Sequence, residues 1–290
     1  MTIPIHPKTV LGAVALNIQD LPLVTSFYTE IIGLAIIKQE ENRIYLSANG
    51  ENEPLIILQK QEHAVLKRRR GAGLYHLAIL VPTRESLSSF LRHLITTRYP
   101  ITGASDHDFS EAIYLSDPEG NGIEVYADRP REKWHRTEEG YLNAPTNALD
   151  AEALLSLSEN GTFKGMPIGT VMGHIHLHVS QLEESERFYI DILGFTKNFA
   201  DEMRNRFMGQ FVSAGGYHHH IGFNIWNGNN APKLEKHATG IMYFTILLPN
   251  VFEYHTVKTR LKNENIVLSE GTDGIFLEDP SGIGIRITHK

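Results

Sequence analysis

Residues 11–34, LGAVALNIQDLPLVTSFYTEIIGL, return without a gap as residues 172–195, MGHIHLHVSQLEESERFYIDILGF. Gly12/Gly173, Leu16/Leu177, Leu21/Leu182, Phe27-Tyr28/Phe188-Tyr189, Ile31/Ile192 and Gly33/Gly194 are identical between the copies. Each copy opens on alternating apolar residues, as a strand does, and passes into helical spacing. It ends on a glycine suited to the positive φ that stops a helix. The likeness resumes at Tyr45-Leu46-Ser47-Ala48-Asn49-Gly50 against Phe211-Val212-Ser213-Ala214-Gly215-Gly216, a strand entering a turn.

A second pair repeats as well. GLYHLAILVP (73–82) answers GIMYFTILLP (240–249), and YLSDPEGNGIEV (114–125) answers FLEDPSGIGIRI (276–287). Asp-Pro-x-Gly is turn chemistry between strand-like runs. The chain therefore divides into four modules, at about 8–60, 72–127, 170–226 and 238–288. Modules 1 and 2 make an N-terminal domain, 1–128, and modules 3 and 4 a C-terminal domain, 170–290. The charged stretch 129–169 is a linker with a short helix expected near Ala148–Leu157.

The bulk of the sequence narrows the function classes. With 290 residues, 41% of them hydrophobic, the chain is long enough for one large or two medium domains and for a full core. A formal charge of −7 supplies no basic field for nucleic acid or an anionic membrane. No apolar run approaches the roughly 18 residues a membrane helix needs, and the first residues lack a signal-peptide pattern, so a cytoplasmic protein is expected. The Asn160-Gly161-Thr162 sequon is then a chance match. There is no cysteine, which excludes thiolate catalysis and cysteine-bound zinc. Histidine stands out: there are fifteen, several on strand-like segments.

Four modules of this kind resemble the vicinal oxygen chelate superfamily, whose members include glyoxalases, bleomycin resistance proteins and extradiol dioxygenases. The resemblance covers nearly the whole chain. It implies an α+β fold in which four βαβββ modules form two half-barrel cavities around a metal. In that family the ligands come from the first and the last strand of a module. His76 and Glu124 occupy those positions in module 2, and His174 the first-strand position in module 3. Module 1 has Ala13 at the first-strand position, and module 4 has Tyr243 and Arg286. If module 2 faces module 3, and module 1 faces module 4, one cavity collects all three ligands and the other none. Two histidines and a carboxylate form the facial triad of non-haem Fe(II) oxygenases; Mn(II) or Zn(II) suits the same donors.

The segment from His107 through Tyr114, Asp117-Pro118 and Gly120 to Glu124 resembles the extradiol ring-cleavage pattern, departing from it at Ser105. The resemblance implies that Glu124 is the carboxylate ligand, that Tyr114 hydrogen-bonds near a substrate oxygen, and that His107 borders the substrate or oxygen site. GYHHHIGFN at 216–224 is shared with bacterial catechol-2,3-dioxygenase-like proteins. His218, His219 and His220 read as strand, with His219 facing one way and its neighbours the other. In the family a non-ligand histidine here is the acid–base group. His219 aligns with it, and His220 takes its place if the register slips by one.

The remaining histidines get plainer readings. His6, His63, His93, His135 and His289 are read as ordinary core or surface residues. His176 and His178 share a face with His174 and are read as its pocket neighbours. Lys67-Arg68-Arg69-Arg70 is a solvated loop, and Gly71-Ala72-Gly73 is no dinucleotide loop, having no strand before it and no helix after it. Trp134 and Trp226 carry no assigned role. The leading functional expectation is an extradiol dioxygenase that takes a small catechol or hydroquinone-type ring and dioxygen. A glyoxalase-like lyase, isomerase or thiol transferase is the second, using one histidine of 218–220 as a fourth ligand. A metal-free binding protein for small molecules is the third. A homodimer is compatible with each.

Overall fold

The computed structural model describes residues 3–158 and 163–290, so the sequon at 160–162 lies outside the described residues. Module 1 runs β1 (Val10–Ile18), α1 (Leu21–Ser26), β2 (Ala35–Glu40), β3 (Arg43–Ser47) and β4 (Ile56–Lys60). Module 2 runs β5 (Gly73–Leu80), α2 (Arg84–Thr97), β6 (Gly103–Asp106), β7 (Ser110–Ser116) and β8 (Gly122–Asp128). The connecting segment holds β9 (Asn147–Ala148) and the short α3 (Ala151–Leu155), where a helix was expected. Module 3 runs β10 (Val171–His178), α4 (Leu182–Glu186), β11 (Thr196–Lys197), an added helix α5 (Asp201–Phe207), β12 (Gly209–Ser213) and β13 (Ile221–Asn224). Module 4 runs β14 (Gly240–Leu248), α6 (Val251–Asn263), β15 (Ser269–Gly271), β16 (Gly274–Glu278) and β17 (Gly284–His289).

Two compact units emerge. One comprises Met1–Asn17, His63–Tyr75 and His174–Lys290; the other comprises Ile18–Glu62 and His76–Gly173. In the first, strands run in the orders β15-β16-β17-β14-β1 and β11-β12-β13-β10; in the second, β4-β3-β2 and β5-β8-β7-β6-β9. Modules 2, 3 and 4 share one plan, with the first strand parallel to the last: β5 with β8, β10 with β13, and β14 with β17. That parallel pairing needs a crossover, which the module's helix supplies. The first strand of module 1 pairs antiparallel with the first strand of module 4, Val14 opposite Phe244. Modules 1 and 4 are thus partnered through β1 and β14, as the distribution of chelating residues suggested.

The repeated Phe-Tyr segments have an unusual shape. After α1 and α4 the helix widens to π geometry over Phe27–Ile31 and Arg187–Ile192, with amide-to-carbonyl bonds from Ile32 to Phe27 and from Leu193 to Phe188. A π widening is rare and is kept where it serves a purpose. Here both copies bury the tyrosine completely, Tyr28 and Tyr189. Gly33 and Gly194 then end the helices at φ 85° and 87°, a conformation open to glycine.

Candidate functional site

Within the second unit, strand register gathers a set of side chains on one sheet face. His76 lies opposite Gly122 and Ala78 opposite Glu124 across β5 and β8, while Tyr114 lies opposite Glu124 across β7 and β8. Residues two apart share a face, so His76, Glu124 and Tyr114 project together. The imidazole Nε2 of His76 is 3.1 Å from Oε2 of Glu124, and both side chains are buried. The His76 and Tyr114 rings stand 5.8 Å apart. Farther along the same face are Ala78, Ala112 and the fully buried Tyr126. The Tyr126 hydroxyl fills the space that a side chain at 173 would need: a Cβ there would meet it at 1.8 Å. Close approach, not a turn, is the reason for Gly173.

His107 sits where β6 turns into β7, and its ring nitrogens have distinct partners. Nδ1 is 2.9 Å from the carbonyl oxygen of Pro145, and Nε2 is 2.7 Å from the Tyr114 hydroxyl. A carbonyl only accepts, so the Nδ1 hydrogen donates to it. In the neutral ring Nε2 is then the acceptor, and the Tyr114 hydroxyl donates to it. His107 and Tyr114, singled out by motif alone, are one hydrogen-bonded pair.

Within the first unit, His174, His176 and His178 line one face of β10, as their spacing of two required. His176 and His178 are tied to Asn224 on β13. The Asn224 amide nitrogen donates to Nε2 of His176 at 2.9 Å, and its oxygen accepts from Nδ1 of His178 at 2.8 Å. His174, His218 and His219 are all buried, and one nitrogen from each lies within 4.8 Å of the others. The expectation that 218–220 form strand is corrected. β13 begins only at Ile221, and the three histidines occupy the irregular approach to it. Alternation therefore fails: His218 and His219 bring their Nδ1 atoms to 2.6 Å rather than facing opposite ways. The His219 ring stacks on Phe211 at 4.1 Å and stands 4.0 Å from that of His174. His220 turns elsewhere, its Nδ1 accepting the backbone N–H of Ala214 at 3.2 Å, with Tyr217 beside its ring. Gly222 lets Phe211 lie where it does, since a Cβ there would sit 2.8 Å from the Phe211 ring.

The sequence did not point to Pro145, Phe211 or Asn224. A backbone carbonyl carries no residue signature, so nothing marks Pro145. Asn224 has a faint one, standing at the end of the GFN run on the face that alternation assigns to His174. Arg68 to Arg70 are exposed, as a solvated loop should be. His6 and His93 make ordinary bonds with nearby backbone. No described helix is long and apolar enough to cross a membrane.

The glyoxalase/bleomycin resistance protein/dioxygenase superfamily model matches residues 10–125. The catechol-2,3-dioxygenase of Bacillus subtilis (strain 168) is 42% identical over 278 residues, 95% of each chain. The chain belongs to this superfamily. The same likeness makes it an enzyme of the extradiol dioxygenase type. Solved structures of superfamily folds align with it at low identity. A Bacillus subtilis protein provisionally described as a dioxygenase has a TM-score of 0.66 at 12% identity, covering 97% of this chain and 84% of that one. Glyoxalase I of Zea mays has 0.57 at 14%, covering 97% and 92%. At such identity these two speak for the superfamily fold alone.

Proposed function

We propose that the protein is an Fe(II)-dependent extradiol dioxygenase that opens a catechol or hydroquinone-type ring with both atoms of dioxygen, and that His76, Glu124 and His174 hold the metal. The observation that carries this reading is the buried His76–Glu124 pair on the same sheet face as the bonded Tyr114–His107 pair. The Glu124 carboxylate and the His76 imidazole, buried side by side, are both metal donors, and the set they form with His174 fits a divalent cation. Two neutral imidazoles and one carboxylate leave +1 on a divalent ion, enough to favour a bound diolate, and Fe(II), Mn(II) and Zn(II) all accept such ligands. Iron, when bound, supplies the electronic path between ring and dioxygen that spin-paired organic molecules lack.

The chain's own residues manage protons and position. Tyr114 gives a substrate oxygen a hydrogen-bonding partner whose own hydrogen is committed to His107. His219, held flat against Phe211 beside His174, is the acid–base group, taking a proton from the diol and returning one as the ring opens. The buried aromatic rings keep its surroundings dry, which strengthens each of these contacts.

Oxygen uptake with a panel of catechols and hydroquinones, after anaerobic reconstitution with Fe(II), tests the proposal. One dioxygen consumed per yellow ring-opened product is expected, and its loss in Glu124→Ala. A second reading, a glyoxalase-like isomerase or thiol transferase, draws on the closeness of His218 to His174 and His219, because His218 then offers a further ligand. Tight metal binding with no oxygen uptake would favour it.

A further inference from the structure

The stretch after β8 does more than connect domains: we infer that residues 129–148 are a strap that holds His107 in its Nδ1–H form and so commits the Tyr114 hydroxyl hydrogen to His107. The inference rests on the proposed roles of Tyr114 and His107 only for its catalytic consequence; the tautomer itself is a property of the fold.

The β6–β7 turn, Asp106-His107-Asp108-Phe109, is gripped from one end of the strap to the other. Arg129 donates to both oxygens of the Asp106 carboxylate and to the Asp108 carbonyl, and its own N–H bonds the Phe109 carbonyl. The Arg129 guanidinium holds the Asp106 carboxyl below the usual carboxylate range. Asp108 sits at φ 71°, a left-handed conformation that costs a non-glycine residue energy, and its carboxylate is engaged by His135. The Trp134 indole packs on Phe109, which stacks beside His107, and its N–H bonds the Arg129 carbonyl. Beyond, Arg136 bridges to Leu142, and β9 pairs with β6, Asn147 opposite Asp106. Pro145 lies between these anchors, and its carbonyl oxygen is the one that takes the His107 Nδ1 hydrogen.

The consequence is directional. Free neutral histidine exchanges its hydrogen between two nitrogens, and the partner of one nitrogen decides the state of the other. With Nδ1–H on a carbonyl held by so many contacts, Nε2 can only accept in the neutral ring. Tyr114 therefore offers any substrate group an acceptor oxygen rather than a donor. Without the strap, either tautomer is open, and Tyr114 would point its hydrogen either way. Pro145, through its main chain, and Trp134 are positioning residues that act through His107.

Histidine ring nitrogen spectra of the ¹⁵N-labelled full-length protein test this directly, at about pH 8, above the ordinary histidine range. His107 is assigned by comparison with His107→Gln. Its Nδ1 should read as protonated and its Nε2 as an unprotonated acceptor; protonation at Nε2 would overturn the inference. Pro145→Gly, which frees the backbone bearing the carbonyl, should mix the tautomers. With Fe(II) and catechol as the probe, it should lower kcat about tenfold while KM, bound iron and the thermal midpoint stay near those of the parent. An unchanged tautomer ratio with unchanged kcat, or a fall in bound iron that accounts for the lost rate, would refute the positioning role. If the parent consumes no oxygen yet shows Nδ1–H at His107, the strap stands and the dioxygenase proposal fails.

Discussion

The hydroxyl of Tyr189, buried at the π widening after α4, donates to a carboxylate oxygen of Asp279 at 2.9 Å. Tyr189 belongs to module 3 and Asp279 to the Asp-Pro-x-Gly turn of module 4, so the bond joins two consecutive modules. In the other half of the chain Tyr28 likewise lies beside Asp117 in the turn of module 2, but no partner among the described residues is within hydrogen-bond distance of its buried hydroxyl. In both turns the carboxylate accepts backbone hydrogens: Glu119 and Asn121 on Asp117, Ser281 and Ile283 on Asp279. The repeated Phe-Tyr and Asp-Pro motifs are therefore the two sides of one contact.

That contact has a pH signature. Burial pushes the Asp279 carboxyl up from 3.8 to about 6, against the opposing pull of its hydrogen bonds. The folded state then binds this proton more tightly than the unfolded chain. The stabilising contribution is full below about pH 4, is lost as pH rises through about 6, and is flat above that. At about 1.4 kcal/mol per pH unit, its size is roughly 3 kcal/mol at most. Asp279→Asn keeps an oxygen for the Ser281 and Ile283 amides and removes the titration. The difference between parent and variant in urea unfolding free energy should change across pH 4–6 and be constant above about pH 7. A difference that is flat throughout would show that Asp279 does not titrate there.

Gly173→Ala should be poorly tolerated, because the new methyl collides with the Tyr126 hydroxyl. Overpacking of this kind costs about 1–3 kcal/mol, visible as a lower midpoint in thermal unfolding. Tyr126→Phe in the same chain removes the closest atom and should recover part of the loss. No recovery would mean that the backbone at 173, rather than the hydroxyl, sets the requirement.

Metal binding should couple to stability. An ion that binds only the folded protein raises the unfolding free energy by about 2.7 kcal/mol at a hundredfold excess over Kd. Fe(II) or Mn(II) should therefore raise the thermal midpoint of the parent and have no such effect on Glu124→Ala or His76→Ala. A rise retained in both variants would place the ion elsewhere, with His174, His218 and His219 as the alternative donors.

His219 and His220 should separate cleanly. His219→Gln leaves the His220–Ala214 bond intact and should lower kcat by about two orders of magnitude, the usual range for losing an acid–base group. His220→Ala removes the acceptor for that buried N–H and should lower stability by about 1–3 kcal/mol, with kcat per folded molecule little changed. Steady-state rates set beside unfolding curves decide it, and the opposite pattern would exchange the two roles.

The four-module plan was legible in the sequence because each element repeats its own local signals. Alternation, a helix-ending glycine and an Asp-Pro turn recur at matching intervals, and each depends on nearby residues alone. The same comparison singled out His76, Glu124 and His174 as the chelating types at equivalent strand positions, and the ring-cleavage pattern singled out Tyr114 and His107. Tertiary structure decided what local pattern cannot express. Residues 218–220 read as strand, yet the chain bends there, and the directions of His219 and His220 depend on Phe211 and on the Ala214 amide. The state of the His107 ring is set by a main-chain oxygen 38 residues away, brought there by Arg129, Trp134 and the β6–β9 pairing. Every residue carries such an oxygen, so only folding can select the one that matters.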